Sequence, residues 1–281
     1  MIDFSNLKEI TIPEGVVTQI ADASGRILWE AISNKVVLQV EKIISNTLGG
    51  DTTYENEEFI LLDIYPKTNG TVSVTYGGLT KTITDTSGVE EPNAQQVFFG
   101  TFNGVSDSVT TPTSGELTIE GDYYAFGCSV FNTGGLLKFN RICNCVKSVD
   151  DFGNSTIIPE QAFGYWMGGG CSFTTVTIPN SISKIGAHAF RGCSLLQTAT
   201  IGKRVISIGT YAFQSAGSQN GHLTVIMQGS IPPELEGLMP FGLPSSESFS
   251  LKEIIVPKGC GNAYKTAEGW TTYADLIVEA S

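Results

Sequence analysis

The C-terminal half of the chain repeats one short motif, and this repeat limits the available folds more than any other feature. The motif is Ile-Gly/Pro-x-x-Ala-Phe, and its copies read IPEQAF (Ile158–Phe163), IGAHAF (Ile185–Phe190), IGTYAF (Ile208–Phe213) and, in degraded form, LMPF (Leu238–Phe241). Successive motif phenylalanines are 27, 23 and 28 residues apart. A period of about 20–50 residues is typical of a solenoid, in which each coil buries its apolar side against the next. We therefore predict that Phe163, Phe190 and Phe213 are buried and stacked in a row.

A strand-like segment follows each copy of the motif. These segments are FTTVTIP from Phe173, LQTATIG from Leu196, LTVIMQG from Leu223 and LKEIIVP from Leu251. A weaker segment, VKSVDDFG from Val146, precedes the first copy. Near the strand ends, apolar residues such as Val176 and Ile178 alternate with polar ones, which indicates a strand with one buried face. We predict that all five segments form one parallel sheet.

The sequence VTIPNSISKIGAHAF (Val176–Phe190), followed by RGCSLLQTATI, resembles the BspA-type leucine-rich repeat. That family's signature is a Thr-Ile-Pro strand end, then Ile-Gly-x-x-Ala-Phe, then a Cys and a Leu. The segment Val256–Ile277 is also similar to the usual end of such arrays. The resemblance covers roughly residues 140–281. It implies a curved array with a parallel sheet, a buried core role for Cys193, and a binding module rather than an enzyme.

The N-terminal half has a different pattern. LKEITIP (Leu7–Pro13) nearly repeats the late strand LKEIIVP, but VVTQIAD and RILWEA follow it around ASG, which predicts a β-hairpin. Farther along, TVSVT and LTKTIT flank Gly77–Gly78, a second hairpin signal. Short strands and turns at fairly even spacing favour an antiparallel, immunoglobulin-like β-sandwich. The expected fold is thus mainly β: a hairpin attachment arm (1–33), a β-sandwich (34–135) and a BspA-type leucine-rich-repeat solenoid with a C-terminal cap (136–281).

Composition and motifs argue against several functions. The chain has 28 acidic and 16 basic residues, a net charge of −12, which argues against nucleic acid and anionic membranes as partners. No stretch approaches the roughly 18 apolar residues of a membrane span. The six cysteines lack paired Cys-x-x-Cys spacing, and the two histidines lie in no catalytic or metal signature. We expect no catalytic residues, no metal and no cofactor, and a solvent-facing position for His188.

Two segments of the N-terminal half are similar to structural proteins of tailed phages and prophages of gut bacteria. They are MIDFSNLKEITIPEGVVTQIADASGRILWEA and GTVSVTYGGLTKTITDTSGVEEPNAQQVFFGTFNG (Gly70–Gly104). The resemblance implies a virion tail or baseplate protein that contacts other virion proteins through its N-terminal half. We expect Trp29 to be the attachment anchor. The array is then displayed to a host-surface protein or glycan, and homo-oligomer formation stays open.

The alternative is a BspA-like adhesin on a bacterial cell surface. An adhesin needs an export signal and a wall anchor, and neither is visible in the sequence. We therefore favour localisation in the virion.

Two sets of residues are candidates for ligand binding. Thr175, Thr177, Thr198 and Thr200 occupy the outward positions of two predicted strands, although threonine is also simply a good strand former. Tyr165, Trp166 and Met167 lie in the glycine-rich connector GYWMGGGC after the first motif copy. Aromatic side chains on a connector suit recognition of a glycan or protein surface. The alternative for Trp166 is burial at the junction with the sandwich.

Overall fold

The computed structural model describes most of the chain beyond residue 34 and two short segments before it. The described residues are 19–21, 27–30, 35–44, 57–85, 94–102, 105–128, 130–132, 140–142, 145–149, 151–153, 155–164, 170–219, 222–237, 239–242, 244 and 250–281. The chain divides into two compact units, Met1–Ser33 and Asn34–Ser281. No helix among these residues has the length and apolar character needed to cross a membrane.

In the N-terminal unit, strands β1 (Gln19–Ala21) and β2 (Ile27–Glu30) pair antiparallel. Gln19 lies opposite Glu30, and the backbone of Ile20 lies opposite that of Trp29. This pairing is the one that the sequence predicts. The LKEITIP segment and the residues between the two strands lie outside the described part of the chain.

The second unit begins with two antiparallel sheets. The first has the strand order β14-β3-β10-β6-β7, formed by β3 (Lys35–Glu41), β6 (Thr71–Tyr76), β7 (Leu79–Thr84), β10 (Ser114–Gly121) and β14 (Val146–Val149). Strands β6 and β7 are the predicted hairpin, and both turn residues, Gly77 and Gly78, have positive φ (57° and 82°). Glycine adopts these angles without steric cost, as tight hairpin turns require.

The second sheet faces the first. It has the order β11-β5-β8-β9, with β4 also paired to β5, and its strands are β4 (Ile43–Ile44), β5 (Glu58–Pro66), β8 (Gln95–Phe102), β9 (Val105–Ser106) and β11 (Tyr123–Cys128). The rings of Tyr76 and Phe99 meet edge to face between the sheets, 5.7 Å apart. A further antiparallel pair, β12 (Val130–Asn132) with β13 (Asn140–Ile142), follows β11. The antiparallel sandwich is thus the arrangement predicted.

The prediction that the Val146 segment joins the parallel sheet is wrong. This segment is β14, which pairs antiparallel with β3, so that Val149 lies opposite Leu38. A register shift between Val146 and Ser148 lets both Val146 and Val149 point inward, and both are buried. In a regular strand every second residue faces the same side, so two inward residues would not lie three positions apart. The bulge between Val146 and Val149 adds one residue and explains the difference.

The array forms two parallel sheets, one strand of each per coil. The main sheet has the order β16 (Thr175–Ile178), β18 (Thr198–Ile201), β20 (Leu223–Met227), β22 (Leu251–Val256) and β23 (Ile277–Glu279). The second consists of two-residue strands, β15 (Ile157–Ile158), β17 (Lys184–Ile185), β19 (Ser207–Ile208) and β21 (Glu234–Leu235). All neighbouring pairs in both sheets are parallel, which confirms four of the five predicted strands.

The motif phenylalanines form the predicted row. Phe163 and Phe190 stack with centroids 5.5 Å apart, Phe190 and Phe213 at 5.0 Å, and Phe213 and Phe241 at 5.7 Å, all within 17° of parallel. All four rings are at most 1% exposed. Phe241 thus takes the same place in its coil as the phenylalanines of the complete copies.

Aromatic residues close the end of the array. They lie on helix α1 (Gly261–Thr266) and on a 3-10 helix (Trp270–Leu276), and Tyr264, Trp270 and Tyr273 are buried. Each donates a hydrogen bond to a backbone carbonyl of the last coils: Tyr264 to Gly229 at 2.8 Å, Trp270 to Pro233 at 2.8 Å and Tyr273 to Gly242 at 2.9 Å. These bonds satisfy the polar atoms of the aromatic groups while their rings cover the row of phenylalanines.

Candidate binding faces of the repeat array

The outward side chains of the main parallel sheet form the first candidate face. In β16, Val176 and Ile178 are buried while Thr175 and Thr177 are exposed. In β18, Thr198 and Thr200 take the same outward positions and are half-buried. The strand register places Thr175 beside Thr198 and Thr177 beside Thr200. The structure thus brings the four predicted threonines together in one square patch.

The outward positions continue across the later strands in two rows. The first row runs Thr175, Thr198, Thr224, Glu253, and the second runs Thr177, Thr200, Ile226, Ile255, Val278. We call these nine residues the sheet face. Its first two strands present only hydroxyl groups. Its last three present the aliphatic Ile226, Ile255 and Val278 in the second row, and Thr224, hydrogen-bonded to Glu253 at 3.3 Å, in the first. The sequence interpretation missed Ile226 and Ile255, because each lies in a run of three apolar residues in which no alternation marks the outward position.

The sheet face rests on a rigid support. The inward neighbours on four successive strands, Val176, Ala199, Val225 and Ile254, are at most 2% exposed. Neighbouring strands lie about 4.8 Å apart, so the five strands span about 19 Å. Side chains on a packed sheet keep their positions better than side chains on loops, which favours recognition of a partner of fixed shape.

A second candidate face lies on the motif itself. The ring of His188 lies 5.7 Å from that of Tyr211, and the guanidinium of Arg191 lies 5.4 Å from the centre of the Tyr211 ring. Arg191 Nη1 also approaches His188 Nδ1 at 3.4 Å. His188 faces solvent only in part, because it packs in this cluster and its residue is half-buried. We call His188, Arg191 and Tyr211 the aromatic cluster.

Burial lowers the pKa of His188, and the positive charge of Arg191 lowers it further, against a smaller opposite effect from Glu160. The imidazole is therefore neutral at pH 7. A neutral ring with its proton on Nε2 accepts a hydrogen bond from Arg191 at Nδ1. The aromatic cluster thus offers two ring faces and one permanent cation, a combination suited to polar, uncharged or acidic groups of a partner.

An unusual backbone conformation explains why these side chains line up from coil to coil. The residue before Ala-Phe has positive φ in each complete copy of the motif: 58° at Gln161, 57° at His188 and 53° at Tyr211. The backbone N–H of His188 donates to Thr210 O in the next coil at 2.9 Å, and the N–H of Gln161 donates to Ala187 O at 2.9 Å. These bonds between coils offset the cost of the left-handed conformation. Nothing in the sequence except the repeat itself signals this conformation.

The remaining predicted site residues lie outside the described part of the chain. Tyr165, Trp166 and Met167 belong to the undescribed residues 165–169, and the side chain of Trp29 is likewise outside. The ends of the connector are described: Gly164 and Gly170 form an antiparallel bridge. A side chain at Gly164 would collide with the backbone of Arg191. The connector therefore begins beside the aromatic cluster.

The described residues give no sign of a metal centre, since no group of three or more His, Cys, Asp or Glu side chains among them is placed to hold an ion. The expectation of a protein without catalytic residues stays a prediction.

Comparison with known proteins identifies the array. Residues 156–225 match the family described as the BspA type Leucine rich repeat region, in six copies. No curated protein matches the chain. The matched residues begin just before β15 and end in β20, so they contain both candidate faces except the last strands of the sheet face. The array over residues 156–225 is thus similar to the BspA type leucine rich repeat region.

Proposed function

We propose that this chain is a non-enzymatic recognition protein whose repeat array binds a protein or glycan on a cell surface. The sheet face is the proposed contact. The observation that carries the proposal is the pair of outward rows, which align hydroxyl groups and then aliphatic groups on one rigid sheet. Hydroxyl groups can donate or accept a hydrogen bond, and the aliphatic side chains provide apolar surface that a partner can bury.

The experiment compares two substitutions of the same type at outward strand positions. Thr200 lies on the second strand of the sheet face, between Thr177 and Ile226. Thr82 is an exposed residue of β7 in the sandwich. Thr200→Arg and Thr82→Arg each add the same bulk and charge to an outward strand position. Because Thr200 is half-buried and Thr82 is exposed, the melting temperature of each variant is measured together with its binding.

The labelled full chain is tested for binding to intact gut bacterial cells and to an immobilised panel of bacterial glycans. On the strongest binder, Thr200→Arg should weaken binding at least tenfold, about 1.4 kcal/mol, while Thr82→Arg leaves it unchanged. Equal affinity of both variants would show that the sheet face is not the contact. Failure of the unaltered chain to bind any of these cells or glycans would count against the function itself.

For the location of the protein, we propose the tail or baseplate of a phage virion, where the N-terminal unit contacts other virion proteins. The support is the resemblance of the first 31 residues and of Gly70–Gly104 to phage structural proteins. Two-stranded hairpins are marginally stable alone in water, so the pair β1–β2 requires a surface to pack on. The alternative is display on a bacterial cell, which the repeat-family match favours.

Mass spectrometry separates these two locations. Peptides of this chain should be present in purified phage particles and scarce in washed cell-wall fractions. The reverse distribution would establish the surface adhesin and end the virion proposal, while leaving the proposed sheet-face contact in place.

A further inference from the structure

Two buried cysteines meet where the sandwich joins the array. The sulfur of Cys128, the last residue of β11, lies 3.2 Å from the sulfur of Cys171, at the end of the first connector. Both residues are at most 2% exposed. This separation is shorter than the 3.5–4.0 Å at which even carbon atoms make optimal contact. A disulfide bond would shorten it to about 2.05 Å.

The backbone around this pair is already fixed by neighbouring hydrogen bonds. The N–H of Cys128 donates to Ala162 O at 2.6 Å, and the N–H of Cys171 donates to Phe163 O at 2.8 Å. The two cysteines therefore bond to adjacent residues of the first motif copy. The sulfur atoms must approach by about 1.2 Å from 3.2 Å to reach bonding distance.

The junction itself is tightly packed. A Cβ atom added at Gly127 would lie 2.8 Å from the Cα of Ala162. The ring of Phe126 stacks on Phe152 at 5.9 Å and meets Phe163 edge to face at 6.2 Å. The sandwich and the first coil thus hold the two cysteines together from both sides.

We propose that Cys128 and Cys171 form a disulfide bond that ties the sandwich to the first coil of the array under oxidising conditions. The bond would close a loop that includes the glycine-rich connector and the segment between β11 and β14. It would hold the sandwich and the first coil of the array in one fixed arrangement outside a cell. The proposal holds whichever partner the array binds.

The chemistry requires a disulfide oxidant, which we take to be glutathione disulfide or the active-site disulfide of a thiol oxidoreductase. One cysteine, as thiolate, attacks the oxidant disulfide, forms a mixed disulfide and releases one thiolate. The second cysteine then attacks the protein sulfur of the mixed disulfide and releases the other thiolate. The two protons of the protein thiols pass to the two released thiolates. Two electrons move from the protein to the oxidant.

The other buried cysteines near the junction have carbonyl partners. Cys193 donates to Phe163 O at 3.2 Å, and Cys145 donates to Leu61 O at 3.7 Å. Cys145 interacts with Cys128 and Cys193 interacts with Cys171, which makes these two thiols the competing partners. Burial raises the pKa of Cys128, so its thiol is protonated and slow to react once folding is complete. The bond should therefore form where the chain folds in the presence of the oxidant, and a chain that folds in a reducing cytoplasm should keep both thiols.

The test uses the full chain, refolded from denaturant either in a buffer of reduced and oxidised glutathione or in excess reductant. Thiols are then counted after alkylation under denaturing conditions, and the linked peptides are identified by mass spectrometry. The reduced chain should give its six thiols. The oxidised chain should give two fewer thiols. It should also give one pair of linked peptides that contains Cys128 and Cys171, with a mass two hydrogens lower than that of the two separate peptides. The oxidised form should melt at least about 5 °C higher, because the bond closes a long loop.

Three variants serve as controls. Cys145→Ala removes the competing neighbour of Cys128 and should retain the linkage. Cys128→Ala and Cys171→Ala should each abolish it. Two results would overturn the proposal: six thiols in the unaltered chain after refolding in the glutathione buffer, or a linkage from Cys128 to Cys145. Both are measured on the unaltered chain, so neither depends on the variants folding.

Discussion

Removal of one ring from the phenylalanine row should destabilise the array strongly and locally. Phe213 is 1% exposed and stacks on Phe190 at 5.0 Å and on Phe241 at 5.7 Å. Phe→Ala substitutions in protein cores cost about 3–5 kcal/mol of unfolding free energy. The substitution at Phe213 also removes two aromatic contacts, worth about 0.5–1.5 kcal/mol each, so its cost should lie in the upper part of that range. For a unit of this size, that cost lowers the melting temperature by roughly 6–20 °C.

The assay combines urea unfolding with hydrogen exchange read by mass spectrometry. The free energy of unfolding of Phe213→Ala should fall by about 3–5 kcal/mol. Amide protection should be lost first in β18, β20 and β22, the strands nearest the missing ring. Phe213→Leu is the matched control: it keeps most of the volume but loses both ring contacts, so it should cost about 1–3 kcal/mol, less than the alanine variant. A loss below 1 kcal/mol for the alanine variant, or equal loss of protection in the sandwich, would refute the idea that the row supports the array coil by coil.

Three smaller predictions test the junction, the cap and a surface ion pair. Gly127→Ala should cost about 1–3 kcal/mol in urea unfolding because its Cβ overlaps the first coil, whereas Gly229→Ala, with its nearest contact at 3.4 Å, should be close to neutral. Trp270→Phe should lower stability by about 1–3 kcal/mol in the same assay, since a buried carbonyl loses its donor. Lys184→Met should cost less than about 1 kcal/mol at pH 7, because the pair it forms with Glu236 is exposed. Lys184 lowers the pKa of Glu236, so this contribution is lost as the pH falls through that lowered pKa, and the unfolding curves of variant and unaltered chain should converge in acid.

The repeat made the array predictable from sequence. The spacing of the motif phenylalanines fixes which rings stack, and the degraded copy around Phe241 keeps its place because its neighbours on both sides supply rings to pack on. The hairpin at Gly77–Gly78 was predictable for a local reason, since its turn requires residues that accept positive φ.

Features set by distant contacts were not predictable. The residue types of the strand at Val146 suit a strand of the sandwich as well as a strand of the array. Its partner β3 lies more than 100 residues earlier in the chain. The half-buried position of His188 follows from its ring contact with Tyr211 in the next coil, which no local pattern reveals. Likewise, Cys128 and Cys171 are 43 residues apart in sequence and meet only because both flank the first motif copy.

The most direct test of the proposed contact is nuclear magnetic resonance of threonine methyl groups in the full chain, with and without the strongest-binding glycan or surface protein. Binding at the sheet face should shift or broaden the methyl signals of Thr175, Thr177, Thr198 and Thr200. The signal of Thr82, on the sandwich, should stay unchanged. Unchanged signals from all four sheet-face threonines at saturating partner would contradict the proposal that this face binds it.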